Sequence, residues 1–117
     1  MDFKSLGLLV LRLGFGGVIM VQHGLPKLLN FTNQMHTFPD PLGIGHTLSL
    51  SLCLASELLG GLLVALGVFT RVVCIPVVIT VAVAFFMFHA LDPFAKKELA
   101  FLYMIAFSSI LIAGPGL

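Results

Sequence analysis

Residues 47–69 read T-L-S-L-S-L-C-L-A-S-E-L-L-G-G-L-L-V-A-L-G-V-F, an apolar run broken by a single carboxylate, Glu57. A bilayer core about 30 Å thick is crossed by a helix of about 20 apolar residues, so this stretch is long enough to span one. Three further segments read the same way: residues 6–25, interrupted by Arg12, Gln22 and His23; residues 72–91, with no Asp, Glu, Lys or Arg; and residues 99–114, the shortest. The 117-residue chain is 59% apolar and 9% charged, with mean hydropathy +1.14, which leaves no material for a separate soluble domain. Lipid offers no partner to backbone N–H and C=O groups, and ten-residue alternating segments are missing, so helices are the expected spanning elements. The expectation is an all-α membrane protein: one domain over 1–117, a four-transmembrane-helix bundle with a long loop between helices 1 and 2.

The first segment carries an internal Arg and no A-x-A cleavage pattern, so it reads as a retained span rather than a signal peptide. Four spans put both termini on one face with the short turn at Thr70 and Arg71. The long loop and the 92–98 connection lie on the other face, together with His23, His36, His46, His89 and Lys27. That second face also collects Phe31, Phe38, Phe85, Phe86, Phe88, Phe94 and Phe101, aromatic rings suited to headgroup depth. Flanking Lys and Arg residues are nearly balanced between the faces, so charge alone does not orient the chain. The loop itself, with Met35, Phe38, Pro39, Pro41 and Leu42, is apolar enough to fold back onto the bundle mouth.

A net charge of +1 without a basic patch excludes nucleic-acid binding. Cys53 and Cys74 form no C-x-x-C pair and lie near opposite faces, so neither a disulfide nor a dithiol relay between them is expected. No dinucleotide-binding glycine motif is present.

The informative residues are the ionisable ones inside the spans. A charge at mid-membrane costs about 2.5–3.5 kcal/mol on insertion scales, so such groups face inward and pair. Arg12, at a rise of about 1.5 Å per residue, lies about 10 Å from one face and Glu57 about 15 Å from the other, which predicts that the two lie close, directly or through a water or ligand. Arg12 and His23 fall within about 20° of each other on a helical wheel, with Gly16 and Ile19 between them and Lys27 near the same stripe. Ser49, Cys53, Glu57, Gly61 and Val64 share one face of the second span. The glycines at 14, 16, 17, 60, 61 and 67 are candidates for close helix approach. Two readings follow: Arg12 and Glu57 as a register-fixing pair, or as part of a pocket with His23 and His89.

Taken in order, L-R-L-G-F-G at 11–16, Q-H-G-L-P-K at 22–27, E-L-L-G-G-L-L-V-A-L-G-V-F-T-R at 57–71, His89 and the G-P-G at 114–116 resemble the DoxX family of small bacterial membrane proteins. The resemblance implies that Arg12, His23, Gly24, Lys27, Glu57, Gly60, Gly61, Gly67, Thr70, Arg71, His89 and Gly114, Pro115 and Gly116 are characteristic family positions. It also implies a multi-pass protein of the bacterial inner (cytoplasmic) membrane, associated with thiosulfate:quinone oxidoreductase-like or thiol-linked redox systems.

The first functional expectation is therefore a quinone-linked subunit, with Glu57 and His23 as candidate catalytic residues and Arg12, His23, Lys27, Glu57, Arg71 and His89 as candidate ligand-binding residues. Electrons would come from a redox partner subunit. A haem held by His23 and His89 is a weaker variant, since both sit at span ends; no other metal site is expected. The second expectation is a non-catalytic accessory, assembly or small-molecule-binding module in contact with membrane lipids, alone or as a homo-oligomer, in which the buried charges are structural. A small transporter is the third, and four short spans would form its conduit only as a homo-oligomer.

Overall fold

A computed structural model describes residues 2–88 and 91–115, the side chains of Phe88 and Lys96 excepted. His89 and Gly116 lie outside the described residues. All the regular structure described is helical: α1 (Phe3–Leu29), α2 (Phe31–Gln34), α3 (His46–Leu66), α4 (Thr70–Met87) and α5 (Phe94–Ala113). Helices α1, α3 and α4 are each long and apolar enough to cross a membrane. Helix α5 is 20 residues long and carries Lys96, Lys97 and Glu98 near its start.

Each long helix begins and ends for a local reason. Asp2 caps α1, its Oδ1 accepting the Ser5 N–H at 2.8 Å. The first helix does not end at residue 25, the bound read from the sequence, but runs through Pro26 to Leu29. Pro26 occupies the first turn of the helical segment Leu25–Leu29, directly after the π-helical turn Ile19–Gly24, where a missing N–H costs little. Helix α3 ends at Leu66 rather than at residue 69, because Gly67 turns left-handed at φ +77°. The connection to α4 is thus the Gly67–Phe69 stretch, and Thr70 and Arg71 already belong to α4.

Helices α1 and α3 run antiparallel in backbone contact. A methyl built on Gly16 would lie 2.7 Å from the Gly61 carbonyl oxygen, and one on Gly61 the same distance from the Gly16 oxygen. Without a hydrophobic drive between helices in lipid, such close approach is what holds them together. Gly60 faces Val77 of α4, whereas among the described residues nothing lies within 4 Å of the corresponding positions at Gly14 and Gly17. The core, Ile19, Val64, Cys74, Val77, Val81, Tyr103, Phe107 and Ile110, joins α1, α3, α4 and α5.

The outward faces are apolar: Val10, Leu13, Val18, Val21, Leu59, Leu62, Val72, Ile75, Ile79, Leu102 and Ile105 are all exposed. That is the surface a lipid-embedded bundle presents. The hydroxyls of Thr80 and Ser109 are satisfied within their own helices, donating to the carbonyls of Pro76 and Ile105 at 2.8 Å. Around the start of α5, Phe85 makes ring contacts with Phe86, Phe94 and Phe101, and Lys97 Nζ lies 4.8 Å from the Phe85 ring centre.

Candidate functional site

His23, Lys27 and Glu57 come together; Arg12 does not join them. His23 and Lys27 are four apart on α1 and so lie on one face, the last turns of the helix. Opposite stands the π-helical turn Ala55–Gly60 of α3, drawn close because Gly24 leaves room for the backbone of Leu58. Across this contact Lys27 Nζ lies 2.7 Å from Glu57 Oε1. Lys27 also donates to the His23 carbonyl at 3.4 Å, and the Cys53 thiol donates to Glu57 Oε1 at 3.3 Å. Glu57 is only 7% exposed.

The expected Arg12–Glu57 pair is thereby corrected. Arg12 Nη1 reaches the Ala65 carbonyl at 3.5 Å and packs against Gly67, at the opposite end of α3. From Glu57 to Ala65 is eight residues, about 12 Å along the helix at 1.5 Å per residue. A guanidinium there meets the negative end of the helix dipole and its unpaired last carbonyls. Arg71 repeats the arrangement at the end of α5, its Nη2 donating at 3.4 Å to the carbonyls of Ile112 and Ala113 beside Gly114. Both arginines close helix ends, and neither lines the cavity described next.

That cavity, about 410 Å³, is bounded by His23, Lys27, Ser49, Cys53 and Glu57 on one side. Ile79, Thr80, Val81, Val83 and Ala84 of α4 and Leu99, Ala100 and Tyr103 of α5 form the other. Its volume falls within the range of small-molecule sites, about 300–1,000 Å³, and its lining has the expected mixture of much apolar surface and few polar groups. The segment between α2 and α3 covers it with Phe38, Pro39, Pro41, Leu42 and Ile44, and Lys27 Nζ lies 6.0 Å from the Phe38 ring centre.

Asp40 fastens this cover to the start of α3. Its carboxylate accepts the N–H of Ile44 at 2.9 Å, the N–H of Gly45 at 2.7 Å and the Ser49 hydroxyl at 2.8 Å. Partial burial alone would raise the Asp40 pKa, but these hydrogen bonds outweigh it and hold the carboxyl below its ordinary value. His46 Nδ1 lies 2.6 Å from the Phe38 carbonyl, and Thr47 donates to that of Met35 at 2.8 Å. His36 is exposed and takes no part in the cavity.

Tyr103 was not singled out by sequence reasoning. Its ring meets His23 edge-on at 5.4 Å and Phe15 at 6.1 Å, and its hydroxyl is buried with no hydrogen-bond partner among the described residues. The signal was present: it is the chain's one tyrosine, placed inside an apolar segment where a hydroxyl needs a partner. Among the described residues no three His, Cys, Asp or Glu side chains gather closely enough to hold a metal ion.

A comparison with family models matches residues 7–90 to the DoxX family. No curated protein and no solved structure matches the chain.

Proposed function

The chain belongs to the DoxX family, and from that premise we propose that it is a four-span subunit of a redox system in the bacterial inner membrane, binding a quinone or similar small lipophilic molecule in the cavity beside Glu57. The observation that carries this reading is the juxtaposition of an apolar cavity of about 410 Å³ with a buried polar cluster of His23, Lys27 and Glu57 at its wall. Intramembrane ionisable groups that border a cavity are functional candidates by default. In this reading α5 is the fourth span, and both termini lie on the face where Arg71 meets the end of α5.

A bound quinone supplies two-electron, two-proton carrier chemistry. The chain's part is to bind and to handle protons. His23 offers a ring nitrogen at the cavity wall, and Glu57, tied to Lys27 and Cys53, holds or releases a proton at its carboxyl. The cover from Phe38 to Ile44 keeps water out of the polar cluster. Arg12 and Arg71 set the helix ends that position these groups. The electrons come from a partner subunit.

Native mass spectrometry after gentle extraction from the producing membrane tests the proposal. A stoichiometric quinone mass that is lost in a His23→Phe variant of normal thermal stability, and in the folded fraction of Glu57→Gln, is the expected result. A chain that carries only phospholipid in every preparation overturns it. A second reading, an accessory subunit in which the charges are structural, is favoured by one observation: Lys27 and Glu57 neutralise each other at 2.7 Å. It predicts that the same variants fail to assemble.

A further inference from the structure

We propose that Tyr103 is the hydrogen-bond donor that holds the cavity's ligand, and that this ligand is a neutral, lipid-soluble carbonyl compound entering sideways from the bilayer between α3 and α4. The inference rests on reading the cavity as a ligand site, and it specifies which group does the recognising. Tyr103 is 4% exposed, lines the cavity, and has a hydroxyl with no partner among the described residues. A buried hydroxyl without a partner is costly, and a ligand oxygen that accepts from it removes that cost. The His23 ring, at 89° to that of Tyr103, fixes the phenol's orientation.

Charge on the ligand is disfavoured by the neighbouring pair. Lys27 is bound to Glu57 at 2.7 Å, so the wall carries one positive and one negative charge already in contact. An anion would have to separate them, whereas a neutral carbonyl needs only the phenol. The route follows from exposure. Leu52 of α3 and Ile79 of α4 both line the cavity, yet they are 54% and 57% exposed on faces that meet lipid. The cavity therefore communicates with the acyl region at those two residues, and lipid-soluble compounds reach it there. Tyr103 lies on α5, beyond the residues matched by the family model.

The chain has one tyrosine and no tryptophan, so ring-labelled tyrosine reports on Tyr103 alone. The purified full chain in lipid nanodiscs is titrated with a decyl-substituted benzoquinone and, separately, with decanoate. Infrared difference spectra follow the labelled phenol C–O band and the quinone C=O band. The expected result is saturable quinone binding with shifts in both bands, no saturable decanoate binding, and about tenfold weaker quinone binding in Tyr103→Phe, the worth of one hydrogen bond of about 1.4 kcal/mol. Leu52→Trp and Ile79→Trp should slow quinone entry at least severalfold.

Quinone binding with an unmoved phenol band and full affinity in Tyr103→Phe overturns the inference while the ligand-site reading stands. Preferential decanoate binding overturns the neutral class. No saturable binding of either probe overturns the ligand-site reading and this inference with it. Should Tyr103→Phe fail to fold, the labelled wild-type spectrum decides by itself.

Discussion

Lys27 and Glu57 stand 2.7 Å apart across the α1–α3 contact, with side chains only 17% and 10% exposed. Loss of one member leaves the other buried without its counter-charge, which typically costs about 3–5 kcal/mol, while an apolar pair of similar volume is nearly neutral. Lys27→Met and Glu57→Leu alone should each lower stability by about 3 kcal/mol, and the double variant should recover most of that loss. Thermal unfolding in detergent of the four species measures the coupling. Additive losses would show that the two groups do not act as a pair.

Gly67 and Arg12 form a second coupled pair. Alanine at Gly67 meets the left-handed φ of +77°, which costs about 1–2 kcal/mol for an L-residue, and its methyl collides with the Arg12 guanidinium. Gly67→Ala should therefore destabilise by more than about 2 kcal/mol, and less so on an Arg12→Gln background. Equal losses on both backgrounds would remove Arg12 from the end of α3.

Gly16 and Gly14 separate packing from propensity. Gly16→Ala drives a methyl against the Gly61 carbonyl and should loosen α1 from α3, lowering the midpoint of thermal unfolding by several degrees. Gly14→Ala has nothing within 4 Å to meet, and the better helix former should be neutral or stabilising by up to about 1 kcal/mol. The reverse ranking would refute the contact between the two helices.

Asp40 makes the cavity's cover sensitive to acid. Its carboxyl sits below the ordinary value of 3.8, held there by the hydrogen bonds from Gly45, Ser49 and Ile44 against the opposing effect of burial. A depressed carboxyl stabilises the folded form above its unfolded pKa and loses that contribution as pH falls through the folded value. The cover should therefore stay fastened at neutral pH and loosen below 3.8, with Asp40→Asn loosening it at every pH. Hydrogen exchange at the Ile44 and Gly45 amides reads this directly, and equal protection in the variant would refute the role of Asp40.

The composition and the length of the apolar runs were enough to establish membrane-length helices, because burial of apolar side chains and self-satisfied backbone are local requirements. The inward stripe of α1 was equally legible: Arg12, Gly16 and Ile19 are buried, and His23 and Lys27 near the same stripe are half-buried at the cavity wall. So was the cover's return to the bundle mouth, since a loop with Phe38, Pro39, Pro41 and Leu42 has little reason to remain in water. Depth arithmetic failed for Arg12 and Glu57, because it locates a residue along one axis and says nothing about where a long side chain finds a carbonyl. Gly67, by ending α3 at Leu66 rather than at Phe69, offered Arg12 a helix terminus within reach. Lys27 then reached Glu57 because Gly24 lets α3 come within backbone contact. Which charge meets which, and that Tyr103 from a distant helix completes the cavity, depended on helix rotation and spacing; these are properties of how the helices pack against one another, and they appear in no single segment.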